Sequence, residues 1–279
     1  MQEYSNIILE RVGHIAWITL NRPERLNAMN GALLAEFSHA LDVLAASNNR
    51  VVVIKGAGRS FSAGYDIAAD SDEIGYTAER GPVEDRDHLL YNIDLWTKIW
   101  RHPQPVIAAV HGVCVAGATQ LASMCDITIV TDDATIMASP ALPLGGGYIS
   151  PLWSHLVGPK RAKLMSFDAG RRISGKTAAA WGWATESVPA EEFENHVRET
   201  AQSIARTPAS LLKVKKEAIN RTIELQGLLT YARMGAETDA LLHLTPEVVQ
   251  IQNLIKTHGL KEAIRLFNAG ALEFDEAIQ

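Results

Sequence analysis

Two glycine-containing segments hold the residues whose types and spacing could do chemistry. The first, FSAGYDI at 61–67, follows a buried strand-like run, and its turn could point backbone N–H groups at a ligand carbonyl. The second, VAGATQ at 115–120, opens a helix of small residues near Gly117, where the positive end of the helix dipole favours a developing negative charge. Taken one at a time, glycines such as Gly64 and Gly117 are more often turn and packing residues.

The loop KGAGRSF at 55–61 also resembles the start of a dinucleotide-binding motif. Gly56 and Gly58 match the first two glycines of GxGxxG, but Phe61 occupies the third position. A side chain there would obstruct the close packing of helix on strand. The spacing therefore argues against a dinucleotide site and favours the ligand-carbonyl interpretation.

Alternating strands and helices must position these segments. Short apolar runs predict strands at 15–20, 51–54, 106–110 and 127–130, and the β-branched run at 51–54 is typical of a parallel strand covered on both faces. Apolar residues at helical spacing predict two longer helices before the one at Gly117. Their buried positions would be Met29, Leu33, Phe37, Ala40 and Leu44 in the first, and Leu89, Ile93, Trp96 and Trp100 in the second. The alternation predicts an α/β fold.

The pattern becomes entirely helical near residue 206. Thr207 and Pro208 are a plausible N-cap and first helical residue for a long helix. We therefore predict two regions, an α/β core over 1–206 and a helical C-terminal region over 207–279. The C-terminal region could pack on the core or on another subunit.

Composition excludes several functions. The 279 residues carry a formal charge of −6 and no run of Lys or Arg, which argues against a nucleic-acid partner. No stretch reaches the length of an apolar membrane span, and the first residues lack the pattern of a signal peptide, so a cytoplasmic protein is expected. Cys114 and Cys125 lie in apolar stretches without metal-site spacing, which favours buried thiols.

Several segments, taken together in order, resemble the crotonase (enoyl-CoA hydratase/isomerase) superfamily. They are NRPERLNAM at 21–29, FSAGYDI at 61–67, AAVHGVCVAGATQLASMCDI at 108–127, PALPLGGGYIS at 140–150 and LVGPKRAKLMSF at 156–167. The resemblance covers nearly the whole chain. It implies an α/β, crotonase-like ββα spiral core with a helical tail, and a homotrimer or dimer of trimers formed through that tail.

The resemblance also implies an acyl-CoA site. The backbone N–H groups of Tyr65 and Gly117 would form an oxyanion hole for the thioester carbonyl, and stabilise the charge that builds on its oxygen. CoA would be part of the substrate, with no metal or redox cofactor needed. The residues implied to surround CoA are Leu26 and Ala28, then Ala63, Gly64, Asp66 and Ile67, with Arg25 near a phosphate.

The sequence departs from the family at its two catalytic carboxylates. Hydratases of the family use two glutamates as acid and base, and here Gln120 and Ala141 occupy those positions. An amide has no useful basicity, although Gln120 could orient a water or a carbonyl. Tyr148, in LGGGY, is similar in place to a tyrosine of methylmalonyl-CoA decarboxylases and to the GGY of naphthoyl-CoA synthases, but the aspartate of the latter is missing. Tyr148 could hydrogen-bond a substrate carboxylate or protonate an enolate, or be an ordinary half-buried tyrosine.

Three functions remain open on the sequence. The departures favour an acyl-CoA isomerase, decarboxylase or C–C hydrolase over simple hydration. An enoyl-CoA hydratase with a relocated acid or base, such as Glu73, Glu237 or Asp239, is the first alternative. A non-catalytic subunit that binds acyl-CoA is the second.

Overall fold

The computed structural model describes residues 4–67, 81–145, 149–272 and 274, with the backbone alone for 149–151. In this part of the chain there are nine strands and eleven α-helices. The strands are β1 (Ile7–Val12), β2 (Ile15–Leu20), β3 (Val51–Gly56), β4 (Val106–Val110), β5 (Val113–Val115), β6 (Ile127–Thr131), β7 (Thr135–Met137), β8 (Ile173–Ser174) and β9 (Glu186–Val188). The helices are α1 (Gly31–Ala45), α2 (Pro82–Trp100), α3 (Gly117–Ser123), α4 (Ile149–Val157), α5 (Pro159–Phe167), α6 (Gly175–Trp181), α7 (Phe193–Ala205), α8 (Ala209–Leu225), α9 (Leu228–His243), α10 (Pro246–His258) and α11 (Leu260–Asn268).

The strands form two sheets. Six strands pair in the order β1-β2-β3-β4-β6-β9, antiparallel between β1 and β2 and parallel thereafter. The second sheet has the order β5-β7-β8. Because β4 of the first sheet runs into β5 of the second within a few residues, the chain passes from one sheet to the other just before α3. The glycine segment at 115–120 therefore lies directly after the point where the chain enters the second sheet.

The predicted double burial of β3 is confirmed. Val52 and Ile54 belong to the main hydrophobic core, which also contains α1, α2 and α3 residues. Val51 and Val53 face the other way, into a second cluster that includes Phe193 of α7. Successive side chains of a strand point to opposite faces, so a continuous β-branched run needs apolar cover on both.

Two element boundaries differ from the sequence expectation. Met29 is buried but precedes α1, which begins at Gly31 after Asn30 caps the Leu33 N–H. The helix predicted to start with Thr207 as cap begins one residue later, at Ala209, with Pro208 as the N-cap. Pro208 has a ψ of 143°, which is extended rather than helical. It therefore belongs to the turn before α8 and is not the first helical residue.

A buried lysine anchors α8 on the core. The Lys216 ammonium donates to the Asp126 carboxylate at 2.7 Å and to the Ile99 and Gln104 carbonyls at 3.2 and 3.3 Å. Burial raises the pKa of Asp126, and the opposing charge of Lys216 partly offsets that shift. All three ammonium hydrogens are thus satisfied in a largely buried site, which holds α8 against the end of α2 and the loops that lead into β4 and β6.

Burial of His102 predicts an acid-sensitive stability. Burial lowers its pKa from 6.5 to about 4, while its Nε2–H donates to the Leu41 carbonyl at 3.1 Å. The folded chain holds His102 neutral and the unfolded chain protonates it, so this contribution is complete above pH 6.5 and lost as the pH falls to about 4. We expect a loss of about 3 kcal/mol over that window, measured by urea unfolding. His102→Gln should flatten the pH dependence, and the exposed His14→Gln should not; equal slopes in both variants would contradict the assignment.

Other structural features bear on membrane, metal and thiol chemistry. Among the described residues, no helix is both long enough and apolar enough to cross a membrane. Over the same ranges, no group of three or more His, Cys, Asp or Glu side chains is arranged to hold a metal ion. Cys114 and Cys125 are buried free thiols, as the sequence predicts, and burial raises the pKa of both.

Candidate active site

A buried asparagine shapes the loop that leads into α1. Leu26 and Asn27 both have positive φ, 52° and 54°, which non-glycine residues adopt only when surrounding contacts hold them there. The Asn27 amide donates to the Ala57 and Ser60 carbonyls at 2.8 Å, and its Oδ1 accepts from the Arg22 N–H at 2.9 Å. The loop after β2 is therefore tied to the loop after β3.

Backbone hydrogen bonds join the residues predicted to surround CoA. The Ala63 N–H donates to Leu26 O at 2.9 Å, the Met29 N–H to Gly64 O at 2.8 Å, and the Asp66 N–H to Met29 O at 3.0 Å. Segments 26–29 and 63–66 thus lie side by side. The two segments that the resemblance assigns to CoA are therefore neighbours in the structure.

An ion pair that the sequence did not reveal supports this loop pair. The Arg22 guanidinium donates to the Asp66 carboxylate at 2.8 Å and to the Ala28 carbonyl at 2.6 Å, with both charged side chains largely buried. Asp66 therefore turns its carboxylate toward Arg22, and Arg25 is exposed. Ile67 lies a short way along the chain, packed against the cluster that contains Leu142 and Leu144.

The second glycine segment has an unusual backbone where α3 begins. Ala116 adopts φ 48° and ψ −115°, a conformation that costs a non-glycine residue strain. The Ala116 N–H donates to Met137 O at 2.9 Å, and the Thr119 hydroxyl donates to Ala116 O at 2.7 Å, so the peptide is held from both sides. This turn changes the direction of the chain after β5, so that α3 begins at Gly117, two residues after the end of the strand.

The two glycine segments meet. The Ser62 N–H donates to Val113 O at 3.1 Å, and the Val115 N–H donates to Ser62 O at 3.2 Å. A Cβ placed on Gly64, whose φ is 88°, would lie 2.5 Å from Val115 O and 3.4 Å from the Gly117 nitrogen. A Cβ on Gly117 would lie 2.5 Å from Cε2 of the Tyr65 ring. Only glycines permit this approach, which brings the two predicted oxyanion-hole residues together.

Gln120 is held in one orientation by two neighbours. Its Oε1 accepts from the Tyr65 hydroxyl and from the Trp96 indole N–H, each at 3.1 Å, and the indole also lies 3.1 Å from the Tyr65 oxygen. The indole can only donate, so it requires oxygen rather than nitrogen of the amide to face it. The Gln120 Nε2, in a side chain that is 1% exposed, has no acceptor among the described residues. The amide therefore presents a donor and not a base.

Two predicted positions remain, Ala141 and Tyr148. Ala141 is half-buried and lies against Gly170, with no polar atom of its own to offer. Tyr148 lies outside the described residues. Tyr91 is on the exposed face of α2, where Asp94 forms an ion pair with Arg233, so this face is directed away from the core.

The sequence missed a buried cluster between α2 and α9. His243 Nδ1 and Asp85 Oδ2 are 2.7 Å apart, and His243 Nε2 is 3.9 Å from Asp239 Oδ2. A Cβ on Gly145 would lie 2.7 Å from Asp239 Oδ1 and 2.8 Å from His243 Nε2, so the loop after Ala141 lies against this cluster. The i, i+4 spacing of Asp239 and His243 was visible in the sequence, but nothing there paired them with Asp85.

Solved structures share this fold over nearly the full chain. A structure from Novosphingobium aromaticivorans, assigned to the enoyl-CoA hydratase/isomerase group, is 40% identical with a TM-score of 0.88, and covers 97% of this chain and 96% of its own. An enoyl-CoA hydratase/isomerase from Xanthobacter autotrophicus is 32% identical with a TM-score of 0.89, and covers 97% and 100%. The predicted crotonase-like α/β fold is therefore confirmed, and it defines the chain as a member of the crotonase superfamily.

Sequence comparisons assign the chain to one family within this superfamily. The profile of the family described as Enoyl-CoA hydratase/isomerase matches residues 10–259. The short-chain-enoyl-CoA hydratase of Clostridium acetobutylicum is 32% identical over 229 residues, which cover 80% of this chain and 84% of the relative. The chain belongs to the enoyl-CoA hydratase/isomerase family.

Proposed function

We propose that this protein binds an acyl-CoA thioester and stabilises its enolate between the backbone N–H groups of Tyr65 and Gly117. The observation that carries the proposal is the close approach of the Gly64 and Gly117 segments, which a single Cβ would disrupt. Two fixed amides directed at one carbonyl oxygen stabilise charge without reorganising during the reaction. No acceptor for the Gly117 N–H is found in the described part of the chain.

We further propose that the reaction is not two-glutamate hydration. Gln120 uses its oxygen on Tyr65 and Trp96 and offers only N–H groups, while Ala141 offers nothing polar. Isomerisation, decarboxylation and C–C hydrolysis each pass through a stabilised enolate and need no pair of carboxylates around one water. A donor at Gln120 would bind a substrate oxygen near the thioester, and Tyr148 remains the sequence-based candidate for a proton donor.

CoA itself would lie along the joined loops 26–29 and 63–67. Leu26, Ala28, Ala63 and Gly64 would contact it mainly through the backbone, as would Asp66, whose side chain is engaged by Arg22. The exposed Arg25 and the neighbouring Ile67 complete the predicted set. CoA as part of the substrate is the only cofactor-like group that this proposal requires, and the cytoplasm is the expected compartment.

A homotrimer or dimer of trimers is proposed from the family resemblance. Apolar side chains on the exposed face of the C-terminal helices support it, because such side chains gain from burial against a second copy. The large exposed ones on α8 and α9 are Leu211, Val214, Ile219, Leu225, Tyr231, Met234, Leu241 and Leu242.

Two alternative functions remain besides the proposed one. A hydratase with a relocated acid or base would draw on Asp239, which the structure places in a buried cluster beside Gly145; Glu237 is exposed, and Glu73 lies outside the described residues. A non-catalytic acyl-CoA binder would need the same loops. Turnover separates these possibilities.

The test is a turnover assay on a panel of thioesters. We expect hydration of crotonyl-CoA to be at least about 10²-fold slower than in a relative that carries both glutamates, because one acid–base pair contributes about that factor or more. A 3-enoyl, a malonyl-type or a β-diketo thioester should be converted instead. Rapid hydration of crotonyl-CoA would contradict the proposed chemistry. Binding without product from any panel member would favour the non-catalytic alternative.

A further inference from the structure

One face of α2 carries polar groups that the proposed chemistry leaves unused. Asp85, Leu89, Asn92 and Trp96 follow one another at spacings of four, three and four residues, which places them within about 40° of one line along the helix. All four are buried. The exposed face of the same helix, with Asp94, is a different one.

The two ends of this face of α2 contact different neighbours. At one end Trp96 meets Gln120 and Tyr65, beside the predicted oxyanion hole. At the other end Asp85 meets His243, which in turn lies near Asp239. Eleven residues of helix separate Asp85 from Trp96, or roughly 16 Å at 1.5 Å per residue. Asp85 and Trp96 therefore contact groups at well-separated points along α2.

Acceptor atoms on this face lack partners among the described residues. Asp85 Oδ1 and Asn92 Oδ1 are both buried and without a hydrogen bond there, in side chains whose residues are 3% and 2% exposed. Buried polar atoms in native proteins are nearly always satisfied by protein, water or ligand. Both unsatisfied atoms accept hydrogen bonds, so a group that fits them must donate.

The far end is also rich in hydrogen-bond acceptors. Asp85 and Asp239 both lie near the imidazole of His243. An ionised carboxylate on the ligand has no hydrogen to donate to Asp85 Oδ1. Gly145 lies against Asp239 and His243, and it is only four residues after Ala141, the family's second catalytic position, so that chain segment passes beside the cluster.

We infer, resting on the proposed function, that the acyl group bound by this protein carries a hydrogen-bond donor, a hydroxyl or amino group, far from its thioester. Asp85 accepts that hydrogen bond, and Asn92 accepts from a donor part of the way along. His243, paired with Asp85 through Nδ1, is a positioning residue for the carboxylate. The substrate class is thus a medium-length acyl-CoA with a polar end, not a plain alkyl chain or a dicarboxylic acid.

The test compares matched thioesters by calorimetry. The probes are the CoA thioesters of octanoic, decanoic and dodecanoic acids and their terminally hydroxylated and aminated derivatives. At one chain length we expect a terminal hydroxyl or amine to tighten binding by about 10-fold, as for one hydrogen bond to a charged group. Asp85→Leu should abolish that preference, measured as the ratio of the affinities for the polar and the plain chain in the same variant.

Control variants separate loss of the proposed hydrogen bond from general loss of folding or helix packing. Asp94→Leu removes an ion pair between the same two helices on the exposed side and should retain the preference. If Asp85→Leu does not fold, Asn92→Leu tests the same face with the shorter probes, and it should reduce the preference for a terminal donor at the chain length that brings the donor to Asn92. A wild-type protein that binds plain and polar chains equally overturns this inference alone. A wild-type protein that binds no thioester overturns the proposed function as well.

Discussion

Replacing both family positions with glutamate, in the double variant Gln120→Glu/Ala141→Glu, should raise crotonyl-CoA hydration by about 10²–10⁴-fold over the unmodified chain. The proposed oxyanion hole is already formed by the backbone, so the change supplies only the missing acid and base. A carboxylate at position 120 would keep its acceptors toward the Tyr65 hydroxyl and the Trp96 indole. Its second oxygen would replace the amide nitrogen that now lacks a partner in the described part of the chain.

Position 141 takes the second carboxylate. Ala141 is half-buried and lies outside the helices and strands, so a longer side chain there does not have to fit inside the hydrophobic core. Each single variant is a control, because one carboxylate cannot act as both acid and base on the same water, and each should gain less than the pair. The measurement is the loss of enoyl absorbance on crotonyl-CoA. A double variant no faster than the wild type would show that the two missing carboxylates do not limit hydration by this protein.

The sequence predicted the backbone of the candidate site better than its side chains. Strand periodicity located β3 and β4, and the ordered motifs indicated that residues 61–67 and 115–120 would converge, because backbone amides depend on the path of the chain. Periodicity also placed Trp96 in the core, where it packs against Phe37. The Trp96 indole N–H also holds Gln120 in place. This contact depends on the Trp96 side-chain rotamer, which the spacing of residues in the sequence does not reveal.

Long-range polar pairs could not be predicted from the sequence for a related reason. Arg22 with Asp66 and Asp85 with His243 are separated by 44 and 158 residues, and each could have paired with many other groups. Burial selects the partner, because a desolvated charge is tolerated only beside a counter-charge or hydrogen-bond donors. The same applies to Lys216, whose long helix was predicted correctly but whose contact with Asp126 was not.

Gly64→Ala should lower kcat/KM on the protein's preferred thioester by about 10²–10³-fold, the usual effect of losing one oxyanion-hole donor. The φ of 88° at Gly64 is poorly tolerated by alanine, and the new Cβ would lie 2.5 Å from the Val115 carbonyl, a backbone atom that cannot rotate away. The peptide from Gly64 to Tyr65 must therefore shift, and the Tyr65 N–H would move relative to Gly117. Steady-state kinetics with circular dichroism would measure the effect at constant fold.

Gly13→Ala separates backbone strain from loss of the hole. Gly13 has a φ of 60° in the turn between β1 and β2, and a Cβ there would meet nothing within 4 Å. Alanine at this position carries a comparable conformational cost, of order 1 kcal/mol, without contact to either glycine segment. We expect Gly13→Ala to lose some thermal stability and keep its kcat/KM. If Gly64→Ala behaved the same way, the Tyr65 N–H could not be one of the two donors that stabilise the enolate.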